Sequence, residues 1–458
     1  MKLSSLVNGI DAKLVGGDAE FSRVSTDTRK IQPGDFFVAL QGENFDGHAY
    51  VSVAQQSGAV AAMVAVEQAS SLPQVVVPDT RLGLGALAKV FFQQYSPKKI
   101  AITGSSGKTT VKEMVASICS LVGPTLSTKG NLNNDIGVPL TLCRIAPEDQ
   151  YAVVEMGANH QGEIAYTAGL VEPDIALVNN VGSAHLEGFG SVEGIAEAKS
   201  EIYQSLSASG IAIINLDDGF TDVFKAKAAH CRQLTYSLTD SQADVQLKSK
   251  IMNATGQYQF VARVDGADIS VSLSLIGQHN VANALAAIAV CHAAGCPLQQ
   301  ISEGLAAVKS VPGRLRVVEE LADLNVIDDS YNANPESMKS AIDTLAGLPG
   351  EGCLVLGAMA ELGAHSGKLH REVGAYAAHK QIGTVYGIGE SASMYREGFL
   401  SVSGSGVFIT AENHQRAADD LLANQRQKTI LIKGSRSAAM EKVIERMIER
   451  QQAMGSAS

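Results

Sequence analysis

Apolar residues along the chain form short continuous runs that alternate with longer stretches of helical period. From Lys98 onward the runs at 100–103, 151–155, 174–179 and 211–215 read as strands, and 111–121, 164–170 and 192–206 as helices between them. Apolar runs separated by amphipathic helices predict a largely parallel sheet with helices on both faces. Between Cys231 and Ile276 the period drops to two. The runs 259–264 and 270–275, split by Asp265-Gly266, predict antiparallel strands appended to that sheet. His279 then opens a helix that ends at Gly295, with Pro297 just beyond.

After Val311-Pro312-Gly313 the alternation starts afresh, with strands at 324–327, 353–356, 384–388, 407–409 and 429–432. Helices are predicted at 337–345, 368–378, 415–423 and 438–449. Residues 1–81 carry short strand-like pieces at 36–40, 59–66 and 74–78 and little sustained helix, and Asp79-Thr80 reads as the cap of a helix carrying Leu84, Leu87, Ala88 and Phe91. The expected fold is α/β in three domains. A small mixed domain spans 1–81, a central domain with a mostly parallel sheet 82–311, and a second open α/β domain 312–458.

The 458 residues suffice for three cores, and 45% apolar with 18% charged residues fits a globular α/β chain. The net charge of −11 argues against nucleic acid as a partner, because phosphate backbones call for clustered Lys and Arg. Cys119, Cys143, Cys231, Cys291, Cys296 and Cys353 form no CxxC pair and no metal-ligand spacing, so they read as free thiols of a reducing compartment. Polar residues interrupt the N-terminus before a signal-peptide core forms, and no apolar run approaches the ~20 residues of a membrane span. A cytoplasmic protein is expected.

Candidate chemistry concentrates at strand ends. The run 100–103 enters Gly104-Ser105-Ser106-Gly107-Lys108-Thr109-Thr110 and then a helix with Val111, Met114, Val115 and Ile118 on one face. Glycines let N–H groups close around phosphate, the helix N-terminus adds positive potential, Lys108 neutralises charge, and Thr109 can reach Mg²⁺. Two residues, rather than the usual four, separate the first glycine from the Gly-Lys pair. Glu155 ends the neighbouring run, where a Mg²⁺ ligand is expected. His185 follows another strand at the same rim and, taken alone, reads more readily as structural than as a ligand. Lys199, amid glutamates, reads from its neighbours as a solvated lysine.

Further on, Asp329, Asn332 and Asn334 couple a strand to a helix and suit ribose or phosphate. Arg314 follows a Pro-Gly hinge and suits a phosphate. Lys433, Ser435 and Arg436 lie in a donor-rich turn suited to a carboxylate. Near the N-terminus, Ser25, Thr26, Asp27 and Arg29, with Phe45, Asp46 and His48, lie on loops and read either as ligand contacts or as turn and capping residues.

The short-spaced loop Thr103–Thr110 resembles that of the Mur ligases and their relative folylpolyglutamate synthase. Glu155-Met-Gly, His185, Glu-Ala-Lys199, His279-Asn280-Val-Ala-Asn283 and Pro312-Gly-Arg314 resemble that family in the same order, over essentially the whole chain. Within it, Lys129-Gly-Asn131-Leu-Asn133-Asn134, the segment from Asp328 to Pro335 and that from Leu431 to Ala439 resemble the branch that adds D-alanyl-D-alanine to a UDP-N-acetylmuramoyl-tripeptide. The resemblance implies a central ATPase-like domain of the phosphate-loop type, a Rossmann-like C-terminal domain, and ATP-dependent amide formation through an acyl phosphate. It also implies that Lys108 holds the β/γ-phosphates, that Thr109, Glu155 and His185 hold Mg²⁺, and that Lys199 is carbamylated and helps hold a second Mg²⁺. By the same resemblance, Asn280 and Asn283 lie by the adenine, and Arg314, Asp329 and Asn332 contact the nucleotide. Ser25–Arg29 and Phe45–His48 would hold the UDP portion, Lys433, Ser435 and Arg436 would line the dipeptide site, and Asn131, Asn133, Asn134 and Asn334 would be further substrate contacts. A monomer is expected. Two rivals are a folate substrate, disfavoured by the domain preceding the loop, and a nucleotide switch, disfavoured by Lys108, Glu155, His185 and Arg314 together.

Overall fold

Three large sheets carry the chain in a computed structural model that describes residues 1–183, 186–321, 324–404, 406–424 and 428–455. The first has five strands in the order Lys13–Val15, Gln74–Val76, Ala61–Val64, Asp35–Val38, Arg23–Ser25. Only its Lys13–Val15 edge runs antiparallel. The second has nine, in the order Ala267–Ile276, Gln257–Val264, Val245–Met252, Arg232–Ser237, Ile211–Asn215, Ile175–Val178, Lys98–Thr103, Tyr151–Glu155, Thr125–Ser127.

The strands around Lys98–Thr103 are buried on both faces, as continuous apolar runs demand. Ile100, Ile102, Val153 and Leu177 point into a core with the helices Lys108–Val122 and His279–Ala293. Ala101, Ala152, Val154 and Ala176 point the other way, toward Glu163–Val171 and Val192–Gln204. That second core is continuous with the first sheet: Phe36, Met63 and Val75 share it through Leu84, Leu87 and Phe91 of the helix Thr80–Phe92. Asp79 caps this helix as expected, accepting from the N–H of Arg81 and Leu82 at 2.7 and 3.0 Å.

The period-two region departs from its reading. Arg232–Ser237 pairs parallel with Ile211–Asn215 across the helix Thr221–Lys227, and Tyr236 and Ser237 pair parallel with Val245 and Gln246. Antiparallel pairing begins only with Val245–Met252. Side-chain alternation reports the face of a strand and not its direction, so the short crossover helix was hidden. The Asp265-Gly266 hairpin is as expected, with φ of +48° and +80° suiting a primed turn.

The third sheet has six strands in the order Arg316–Val317, Asn325–Asp329, Thr429–Lys433, Gly352–Leu356, Thr384–Ile388, Val407–Ala411. All pair parallel except the first. Helices cover both of its faces, giving two cores, one of which also takes in Ile276 at the end of the second sheet's edge strand. Leu298–Ala307 and Ala392–Leu400 are helices that the apolar pattern did not reveal. Among the described residues no helix is long and apolar enough to cross a membrane.

Candidate active site

The carboxyl end of Lys98–Thr103 turns sharply into the helix Lys108–Val122. Gly107, at φ +75°, caps that helix, and a Cβ there would lie 2.5 Å from Asn283 Oδ1 and 2.6 Å from Asn179 Nδ2. Those amides form a relay. Asn179 Nδ2 donates to Ser106 O and to Asn283 Oδ1, both at 3.0 Å, Asn283 Nδ2 to Asn280 Oδ1 at 2.9 Å, and Asn280 Nδ2 to Ile276 O at 2.8 Å. The phosphate loop is thereby tied to the start of the helix His279–Ala293. Gly107→Ala is expected to break the relay and weaken ADP binding at least about tenfold, as read by calorimetric titration.

The N–H groups of Ser105 and Ser106 already donate to Asn180, to its carbonyl and Oδ1 respectively, both at 2.9 Å. These serines therefore shape the loop. The first helical turn, at Lys108, Thr109 and Thr110, presents the N–H groups that a helix start leaves without an intrahelical acceptor. Lys108 Nζ donates to Gly104 O at 2.5 Å; burial pushes its pKa down, Glu155 opposes that, and Arg314 adds to it.

Thr109 Oγ1 donates to Glu155 Oε1 at 3.2 Å, and Asn133 Nδ2 donates to the same oxygen at 2.8 Å. Glu155 is 1% exposed, and its Oε2 has no partner among the described residues. From the turn that leads into the third sheet, Arg314 Nη2 donates to Thr109 Oγ1 at 3.0 Å, and its guanidinium lies 4.6 Å from the centre of the Tyr331 ring. Groups on two different sheets thus face one cavity of about 260 Å³, lined also by Asn280, Asn283, Asp329, Asn332, Asn334 and Lys433. Asp329 and Lys433 pair at 2.7 Å at the carboxyl ends of adjacent strands. Burial raises the Asp329 pKa against the pull of Lys433.

Lys199 is not the solvated lysine that its neighbours in sequence suggest. It is fully buried, and its Nζ has no hydrogen-bond partner among the described residues. The neighbouring glutamates are engaged elsewhere: Glu197 pairs with Lys227 at 2.8 Å, and Glu201 accepts from the N–H of Gly162 and Ala165. Burial, and then the charge of Lys108, push the Lys199 pKa well below its ordinary value.

Comparison with known proteins agrees with this geometry. Residues 20–91 match the model of the Mur ligase family catalytic domain, 102–291 the Mur ligase middle domain, and 313–436 the Mur ligase glutamate ligase domain. The chain is 44% identical over 448 residues to the UDP-N-acetylmuramoyl-tripeptide–D-alanyl-D-alanine ligase of Escherichia coli (strain K12), covering 98% of each chain. The chain belongs to the Mur ligase family. A crystal structure of MurF from Acinetobacter baumannii superposes with a TM-score of 0.90 at 36% identity, covering 97% of this chain and 98% of that one. MurF ligase from Thermotoga maritima in complex with ADP superposes at 0.83, with 29% identity and coverage of 94% and 98%.

Several predicted residues of this Mur ligase serve its own fold. Asn133 holds Glu155, and Asn134 Oδ1 accepts from Gly137 N at 2.8 Å to start the helix Gly137–Leu142, while Asn131 is exposed. Asn334 caps Pro335–Gly347 in a reciprocal box with Ser337. Ser435 is buried, with its Oγ 3.1 Å from that of Ser437, and Arg436 points to the surface and pairs with Glu441 at 2.9 Å. Asp27 accepts from Arg29 Nε and Nη2, both at 2.9 Å, and Asp46 is 2.6 Å from His48 Nδ1. His48 Nε2 accepts from Ala65 N at 2.8 Å, so neither ring nitrogen is left for a ligand. Ser25 Oγ donates to Asp27 O, and Thr26 is half-buried beside it. Phe45, half exposed, stacks on Tyr50 with centroids 5.5 Å apart. His185 lies outside the described residues.

Asn179, Asn180 and Tyr331 are site residues that the sequence reading passed over. The signal for the two asparagines was there: consecutive amides directly after the apolar run ending at Val178, at the rim where the loop also ends.

Proposed function

We propose that this Mur ligase joins D-alanyl-D-alanine to UDP-N-acetylmuramoyl-tripeptide at the expense of ATP. The reading rests on one observation above the others: Arg314 reaches Thr109 across the cavity, so two domains converge on one phosphate loop. The peptide substrates come from the printed name of the Escherichia coli relative. The terminal carboxylate of the tripeptide attacks the γ-phosphorus, ADP leaves, and an acyl phosphate forms. The dipeptide amine then attacks the acyl carbon, the tetrahedral intermediate collapses, and phosphate departs.

Lys108 and the first-turn N–H groups hold the β/γ-phosphates, and Arg314 offsets the charge that builds up when two anions meet. Asn280 and Asn283 face the adenine, and Asp329 and Asn332 face the nucleotide from the third sheet. Closure of the two domains keeps water from the acyl phosphate. The N-terminal domain, residues 1–81, takes the UDP end, with the exposed Phe45 face offered to the base. The peptide end lies toward Asn334 and the rim after Lys433. The chain acts as a monomer in the cytoplasm.

The donor set fits Mg²⁺: Glu155 has a buried oxygen without a partner beside the Thr109 hydroxyl, and hard cations take such oxygens. Thr109, Glu155 and His185 would hold it, and when bound it supplies positive charge to the phosphates. Lys199 fits carbamylation, because its buried, unpaired and proton-poor amine lies near the Lys108 cation. A carbamate there would give a second Mg²⁺ an anionic ligand.

Phosphate release is the direct test. Release is expected only when ATP, the UDP-tripeptide and D-alanyl-D-alanine are all present. Release without the peptides, or none with both, would overturn the reading.

A further inference from the structure

Three thiols that the nucleotide site does not use meet behind it. Cys119 lies near the end of the helix Lys108–Val122, Cys291 near the end of His279–Ala293, and Cys296 in the link to Leu298–Ala307. Their sulfur atoms all lie within 4.8 Å of one another, and all three side chains are buried. No metal spacing is visible in the sequence because one ligand stands on a helix far earlier in the chain than the other two.

We propose that Cys119, Cys291 and Cys296 bind one soft divalent d¹⁰ cation, zinc or cadmium. Three sulfurs around such an ion, at bond lengths of about 2.3 Å, stand roughly 4 Å apart, so the cluster needs only a small contraction. A sulfur-only set selects soft cations over Mg²⁺, and among the described residues no His, Asp or Glu joins the group. Each thiol releases its proton to solvent as its metal–sulfur bond forms, so three thiolates and one dication leave a single negative charge. Cys143 and Cys353 are also buried but lie outside the group.

The position has a mechanical meaning. Cys119 stands eleven residues beyond Lys108, and Cys291 eleven beyond Asn280, each about 16 Å along its helix. A bound ion ties together the far ends of the two helices whose near ends meet the nucleotide.

The test uses the full-length, reduced, metal-free chain titrated with cadmium chloride. A thiolate-to-cadmium charge-transfer band in the ultraviolet is expected, saturating at one equivalent per chain, with a rise in thermal stability. Cys119→Ala and Cys296→Ser are each expected to weaken binding at least about tenfold while keeping ligase activity without metal. Cys143→Ala and Cys353→Ala are expected to bind as the parent does. Should Cys119→Ala fail to fold, Cys296→Ser decides. Absence of the band, its survival in Cys296→Ser, or its equal loss in Cys143→Ala would overturn the assignment.

Discussion

Replacing Lys199 with alanine is expected to lower turnover on the order of 10²-fold, and a small added carboxylate to restore part of it. The reason is the side chain's isolation. A lysine that is fully buried and close to a second cation, with no hydrogen-bond partner among the described residues and only the Phe189 ring 6.0 Å from its Nζ, has no anion to serve. Its neutral amine is instead the form that adds to carbon dioxide, and the product carries the opposite charge. Full activity in Lys199→Ala, or a loss that no carboxylate relieves, would remove the carbamate role. Lys199→Met separates function from folding. The pKa of Lys199 in the folded chain lies below the ordinary 10.5, so the unfolded chain binds the extra proton. Without carbamylation, the stability of the parent therefore declines as pH falls below 10.5. The methionine variant lacks that dependence. In bicarbonate-free buffer it is expected to be inactive and yet more resistant to urea than the parent, by a margin that widens as pH is lowered from 10.5 toward neutrality.

The second large effect belongs to Arg314. Arg314→Ala is expected to lower kcat by about 10²–10³, or about 2.7–4 kcal/mol, with a smaller change in the KM for ATP. Its guanidinium combines a hydrogen bond to the Thr109 hydroxyl with stacking on Tyr331, a pairing that a planar cation supports and an ammonium does not. Arg314→Lys should therefore recover little. Steady-state kinetics with saturating peptides would check both variants, and near-parental kcat in either would place the transition-state charge elsewhere.

The strands and helices around the phosphate loop were legible because buried parallel strands write themselves as apolar runs. Tyr151–Glu155, Ile211–Asn215 and Thr384–Ile388 have the expected limits. Strand direction after Cys231 was not legible, since alternation is the same in both senses and the helix Thr221–Lys227 is short. At the site, Lys108, Thr109 and Asp329 were legible from residue type at strand ends and Arg314 from its Pro-Gly hinge, and all line one cavity. Lys199 was misread by its neighbours in sequence. Its helical period told otherwise, because it falls four residues after Ile195 and three before Ile202, on the apolar face. Asn134 and Asn334 also cap helices, a role the sequence did not separate from ligand contact because capping amides and binding amides look alike without a partner in view.

The core that runs unbroken from the first sheet into the second has a consequence for substrate choice. Phe36, Met63, Leu84 and Ala101 belong to one packed body, whereas the cores around the third sheet take in only Ile276 from the second. If residues 1–81 grip the nucleotide-sugar end, the distance from that grip to the phosphate loop is a constant of the molecule. Each amino acid spans at most about 3.3–3.6 Å, so a peptide stem one residue short stops that far from the γ-phosphate. The shared core then works as a ruler, measuring stem length before any side chain of the peptide is inspected.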